Sequence, residues 1–390
     1  MGNSFNIEKN FPSELKLLLE ILAIEKEEEY FSNYSFEEID WEVFLQLAMH
    51  HRVYPIIYSN LKKLDETVIP QFVIQSLYQG YQRNTINMLA LCREMEQISN
   101  LFMENDIPLL FLKGTVIAAD IYGDISLRTS KDLDILIPVN TLQKADKLLM
   151  SCGFKKTSEP HILNEGKWRI HHTVYFHPER NIQLEIHWRL LPLPRSEPSF
   201  NELWERKRVS TIINSYPVHL LGKEDLFLFL ISHGSKHAWF RLRWLLDIDK
   251  MIRSGIDLNE ANLLLKKYQN LHLVGQALIL ASQLLNTPIN DEMNLLLVKS
   301  RSKELAHKAL IIIKDMLPWD ILTSTKYYKR YRLSLNSKEL QNIYSIIALF
   351  YPSSADAMIL RLPKPLHFLY FPLRPFLWVY RNIKPLKLNQ

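Results

Sequence analysis

A chain of 390 residues, 47% hydrophobic and 23% charged, is long enough for two or three domains with ample core, and its composition excludes disordered and fibrous classes. Its two cysteines, Cys92 and Cys152, are too few for a disulfide framework and fit a reducing compartment. The net charge of +5 is uneven: residues 326–390 hold 11 Lys/Arg against two Asp/Glu, so the basic character belongs to the tail and the body is slightly acidic, unlike a protein that grips nucleic acid across its active site.

Residues 1–104 read as a helical N-terminal region. It opens without a basic segment leading into an apolar run, so no signal peptide is expected. Helices are expected near 14–22, at 41–48 and, beyond Pro70, over a long periodic stretch at 72–104. The pattern changes over 105–220. Residues 108–112 read as a short buried strand, followed at once by Lys113-Gly114-Thr115 and by a helix at 116–122 that ends near Gly123. A glycine and a hydroxyl residue at a strand-to-helix turn let backbone N–H groups and the helix dipole meet an anion. Arg128 can add a bidentate phosphate contact.

The run Thr129-Ser130-Lys131-Asp132-Leu133-Asp134-Ile135-Leu136-Ile137 then reads as a strand entering a buried sheet. Side chains two apart on a strand share a face, so Asp132 and Asp134 point one way while Leu133 and Ile135 enter the core. Two bare carboxylates side by side repel each other, and a divalent cation between them removes the repulsion; hard oxygen ligands suit Mg²⁺, and Mg²⁺ on carboxylates usually brings phosphate. On this reading, losing one acid costs little stability. A helix is expected at 140–152 and strands at 169–176 and 182–188. In the last, Gln183, Glu185 and His187 share one face, which makes Glu185 a candidate third carboxylate and His187 a neighbour of the site. His171 and His172 alternate, so at most one of them is expected to face it. Prolines 192, 194 and 198 mark a loop.

From 221 to 351 the chain is helical again, with helices expected at 224–253, 258–268, 273–285, 290–300 and 303–316. His233, Lys236 and His237 cluster within about one helical turn and are candidates to line the cleft. Zinc is disfavoured there, because no third-ligand motif accompanies the two histidines. Arg241, Arg243 and Asp247 are expected to form an ion-pair network beside it. The tail, 352–390, is basic and proline-rich; its apolar segment 366–380 is expected to wrap over the helical domain rather than lie at a membrane surface, because proline prevents a long amphipathic helix. No stretch reaches the ~18 apolar residues of a membrane span, and the expectation is a cytoplasmic protein.

Strand, Gly-Thr turn, helix, Asp132-Leu133-Asp134 on a strand and a third acid on a later strand together resemble the polymerase-β-type nucleotidyltransferase superfamily. Lys113-Gly114-Thr115, the run Arg128 to Asp134, Leu184-Glu185-Ile186-His187-Trp188 and the stretch from His233 to Trp244 are most similar to the bacterial group of uncharacterised nucleotidyltransferases, with similarity also to abortive-infection nucleotidyltransferase toxins. The resemblance is good over 100–250. It departs at Lys113, where the family pattern has a small residue, and at Glu185, where Asp is more usual. It implies an α+β fold, a mixed sheet flanked by helices, and transfer of a nucleoside monophosphate, most simply AMP from ATP, to an acceptor hydroxyl or phosphate on a small molecule, protein or RNA. Mg²⁺ or Mn²⁺ would sit on Asp132, Asp134 and Glu185, which are the catalytic candidates. Lys113, Gly114, Thr115, Arg128, Ser130 and Lys131 would bind the nucleoside triphosphate, and His187, His233, Lys236 and His237 the acceptor. Rival readings are a growth-arresting toxin of the same fold acting on tRNA or protein, a phosphotransferase, and a non-catalytic interaction protein that keeps the fold.

Overall fold

A seven-stranded mixed sheet carries the molecule. The computed structural model describes residues 11–23, 36–62, 69–157, 171–191, 196–210, 217–297, 299–336, 343, 351–352 and 354–383. Pro192, Pro194, Pro385 and the first two residues of the strand expected at 169–176 lie outside them. The strands are β1 (Leu110–Phe111), β2 (Asp132–Leu136), β3 (Lys155–Lys156), β4 (His172–His177), β5 (Ile182–His187), β6 (Arg208–Ser210) and β7 (Val218–Leu220). They lie in the order β3-β4-β5-β2-β1-β7-β6, with β2 central, antiparallel to β1 and parallel to β5, while β4 runs antiparallel to β5.

The sheet is amphipathic by strand parity. Leu133 and Ile135 of β2, and Leu184 and Ile186 of β5, are fully buried against one face. There they meet Met88, Leu91, Met95, Ile98 and Phe102 of a 33-residue helix, Gln71–Met103. That helix is α4, after α1 (Ser13–Ala23), α2 (Trp41–His50) and α3 (Tyr54–Leu61). The opposite face of β2 and β5 carries the polar residues.

The helices that follow are α5 (Thr115–Tyr122), α6 (Leu142–Ser151), α7 (Phe200–Glu205), α8 (Lys223–Lys236), α9 (Leu242–Arg253), α10 (Leu258–Lys267), α11 (Leu271–Leu285), α12 (Asp291–Leu297), α13 (Ser300–Asp315), α14 (Trp319–Ser324), α15 (Lys326–Ser334), α16 (Ser354–Ile359) and α17 (Tyr370–Ile383). A second core joins α1–α3 to α8–α11 and α13, with Leu17, Leu18, Phe44, Ile57, Leu245, Leu280 and Ile313 among its buried members. Helices from both ends of the chain therefore share one apolar core.

The single helix expected at 224–253 is two. α8 stops at Lys236, and Ala238 and Trp239 take left-handed backbone angles, φ 52° and 54°. Trp239 N–H donates to the Gly234 carbonyl at 2.9 Å, and its ring lies where a side chain on Gly234 would sit. The packing of a fully buried indole on a glycine overrides the helical periodicity. Gly234→Ala should then cost about 1–3 kcal/mol, the usual cost of overpacking; urea unfolding measures it, and an unchanged midpoint would refute the contact.

The tail differs from expectation too. Pro375 is accommodated inside the 14-residue α17, which packs chiefly on α16 and the short helix at Lys364–Leu369. The buried Arg374–Asp356 pair, 2.6 Å apart, anchors it, and Phe371, Phe376, Trp378 and Tyr380 stay exposed. Among the described residues no helix is long and apolar enough to cross a membrane.

Candidate active site

One cleft of about 450 Å³ gathers side chains from distant parts of the chain, a volume in the range of small-ligand sites. Its floor is the polar face of β2 and β5. The parallel register sets Asp132 opposite Gln183, Asp134 opposite Glu185 and Leu136 opposite His187. Strand parity then turns Asp132, Asp134, Glu185 and His187 to the same side, where all four line the cleft.

These acids are not a bare repelling pair, which corrects the sequence expectation. Asp134 is fully buried. Lys113 Nζ lies 3.1 Å from its Oδ2 and His187 Nε2 3.2 Å from its Oδ1. His187 Nε2 is also 3.6 Å from Glu185 Oε2, and Gln183 donates to Glu185 Oε1 at 3.1 Å. Burial works against ionising Glu185, but the His187 hydrogen bond and the Lys113 charge outweigh it and hold its pKa down at about 2. Burial likewise works against charge on Lys113 and His187; the carboxylates around them prevail and raise both.

The donor set fits a hard divalent cation. Asp134 Oδ2 is buried without a well-aligned hydrogen bond. Asp132 is half-buried and forms no ion pair among the described residues. Donor atoms of Asp134, Glu185 and His187 lie within 4.8 Å of one another, and three carboxylates on one sheet face supply the oxygen ligands that Mg²⁺ prefers.

The turn at 113–115 contributes less than its sequence suggests. Gly114 has φ 91°, a conformation open to glycine, and caps α5; a side chain there would meet Ser130 Oγ at 3.3 Å. The Thr115 hydroxyl is buried and donates to Met95 Sδ at 3.3 Å, while Ser130 Oγ donates to the Asp132 carbonyl at 3.1 Å. Lys113 and Lys131 line the cleft; Gly114, Thr115, Ser130 and Arg128 do not.

Arg128 is the clearest correction. It is 2% exposed and makes a bidentate pair with Asp247 of α9, at 2.8 and 2.9 Å, so its guanidinium is not offered to phosphate. Arg241 and Arg243, expected to pair with Asp247, instead bond backbone. Arg241 donates to the His50 carbonyl, and Arg243 to Thr129, with its hydroxyl at 2.9 Å. Both are left facing the cleft beside Lys131 and Arg52, a residue sequence reasoning missed. Arg52 sits at φ 57° just beyond α2. No short motif marks it; its place is set by the core that α2 shares with α8 and α9. None of the four forms an ion pair among the described residues. Burial first, then repulsion from Arg52 on Arg241 and from Arg128 and Arg52 on Arg243, pushes the pKa of both down; repulsion from Arg52, then burial, does so for Lys131. An anion would relieve that strain.

The third wall is the end of α8. His233, Lys236 and His237 line the cleft with Trp244 and Trp319, and the two imidazoles lie 4.7 Å apart. Burial first, then neighbouring cations, pushes both well below the usual histidine range. His171 and His172 both face the cleft, against the expectation from alternation, because His171 precedes the first residue of β4 and is not bound by the strand's parity. The positions of Asn84 and Asn87 on α4 explain how the approach to β2 is held. They donate to the carbonyls of Ser126 and Ser130, each at 2.7 Å.

A family model described as "Uncharacterised nucleotidyltransferase" matches residues 37–286. No curated protein matches the chain. Among solved structures, the crystal structure of an antigenic nucleotidyltransferase-like protein from Paracoccidioides brasiliensis matches with 16% identity and a TM-score of 0.31, over 51% of this chain and 94% of that one.

Proposed function

The chain belongs to the family of uncharacterised nucleotidyltransferases, and from that premise we propose that it is a metal-dependent enzyme that moves a nucleoside monophosphate, in the simplest case AMP from ATP, onto an acceptor hydroxyl or phosphate. The observation that carries this reading is the juxtaposition of Asp132, Asp134 and Glu185 with four cations that form no ion pair among the described residues, across one cleft. Acids hold metal, cations hold a triphosphate, and few other ligands need both.

Asp132, Asp134 and Glu185 would hold Mg²⁺ or Mn²⁺, which on binding supplies charge neutralisation for the phosphates and lowers the pKa of an acceptor hydroxyl. Glu185, ionised well below neutrality, suits a ligand better than a general base, whose pKa should lie near the working pH. Arg52, Lys131, Arg241 and Arg243 would take the phosphates and the charge that develops on them. The acceptor oxygen attacks the α-phosphorus, the bond to the bridging oxygen breaks, and pyrophosphate leaves. The end of α8, with neutral His233 and His237 beside Lys236, is the acceptor wall.

The test is incubation with ATP labelled at the α- or the γ-phosphate, with Mg²⁺ or Mn²⁺, followed by mass analysis of the protein and of candidate acceptors. Transfer of the α-label with release of pyrophosphate is expected. Transfer of the γ-label would make the protein a phosphotransferase, and absence of metal-dependent nucleotide binding would leave a non-catalytic member of the fold. Arg52→Met should raise the KM for nucleotide about tenfold or more, one lost charge-assisted phosphate contact being worth roughly 1.5–3 kcal/mol, and should leave the melting temperature unchanged or higher. A KM unmoved by this change would remove Arg52 from the phosphate site.

A further inference from the structure

We propose that His171, His172 and His187 form a second metal position, for a borderline-soft divalent cation of the Zn²⁺ type, set against the carboxylate position with His187 standing between the two. β4 and β5 pair His172 directly with His187, and the Trp188 N–H donates to the His171 carbonyl at 3.1 Å, which draws His171 in beside them. The ring centroids are 4.7, 5.0 and 5.7 Å apart, and one ring nitrogen from each lies within 4.8 Å of the others.

The second observation is what these rings lack. Nδ1 of all three is buried and has no hydrogen-bond partner among the described residues, although His187 and His171 are 6% and 9% exposed. Unpartnered buried nitrogens on three adjacent imidazoles are costly, and a cation held among the rings would satisfy those that turn to it. His187 is oriented for this. A bound cation would displace one proton of the His187 imidazolium; with Nε2–H kept toward Asp134 at 3.2 Å and Glu185 Oε2 3.6 Å away, the freed lone pair lies on Nδ1, and a carboxylate behind a ligating histidine fixes the ring and raises its basicity. Lys236, which acts on His171, opposes a cation; Asp134 and Glu185 favour it. Three imidazole ligands select Zn²⁺, Co²⁺, Ni²⁺ or Cu²⁺ over Mg²⁺, and a tetrahedral ion would keep its fourth position toward the cleft.

Metal alone tests this, independently of any nucleotide chemistry. Titrating the full chain with Co²⁺ in excess Mg²⁺ should give one tight equivalent with visible ligand-field bands. In His172→Gln, where the residue is half-buried and its loss tolerable, and in His171→Gln, affinity should fall at least ~10-fold, while Asp132→Asn keeps the bands. Circular dichroism of the metal-free variants controls for folding. X-ray absorption of the Zn²⁺-loaded wild type, which needs no variant, should show imidazole nitrogens at about 2.0–2.1 Å. Absence of tight Co²⁺ binding, bands indifferent to both histidine changes, bands lost only in Asp132→Asn, or an all-oxygen shell would each overturn the proposal.

Discussion

Asp132→Asn should lower nucleotidyl transfer by at least about 10²–10³-fold, the scale set by removing one preorganised electrostatic group from a reacting centre, with the melting temperature nearly unchanged. The half-buried carboxylate forms no ion pair among the described residues, so its loss strands no partner. Asp134→Asn should lose as much activity and, in addition, about 3 kcal/mol of stability. It is fully buried between Lys113 and His187, and removing one member of a buried pair leaves the other charge uncompensated. Rates with a labelled triphosphate and urea midpoints, measured on both variants, separate the two outcomes. Near-normal turnover in Asp132→Asn would defeat the metal assignment; an unchanged midpoint in Asp134→Asn would mean its cations do not hold it.

Arg128→Met should destabilise the protein by about 3–5 kcal/mol, the cost of orphaning a buried ion, because it leaves Asp247 fully buried with, among the described residues, only the Tyr122 hydroxyl, at 2.9 Å, as a neutral hydrogen-bond partner. The double variant Arg128→Met/Asp247→Leu should recover much of that loss, since apolar replacement of both partners can be neutral. Denaturant titrations on the singles and the double complete the cycle. If Arg128 instead served phosphate, the single variant would raise the nucleotide KM at nearly constant stability, and the second change would rescue nothing.

The sheet face was legible because parity is local. Asp132 with Asp134, and Glu185 with His187, need only a period of two to share a side, and one parallel pairing brings the two strands together. The long helix α4 and the αL stop at Gly123 were legible for the same reason. What could not be read was partner choice. Arg128 is 119 residues from Asp247, and nothing in either neighbourhood favours that pair over Asp247 with Arg241 or Arg243. The break after Lys236 depends on where Trp239 packs, and Arg52 reaches the cleft only because α2 and α9 share a core; Arg243 N–H donates to the His51 carbonyl at 3.3 Å. Hydrophobic periodicity reports which face is buried, not which distant element buries it.

The cleft draws on residues from Arg52 to Trp319, and this has a bearing on biosynthesis. At ~5–20 residues per second, roughly a quarter of a minute to a minute separates the appearance of its first wall from that of its last. A ribosome-bound chain carries the acids of β2 long before it carries the cations of α9, so a nascent or truncated product has no complete pocket. Only a chain translated past α14 encloses the whole cleft.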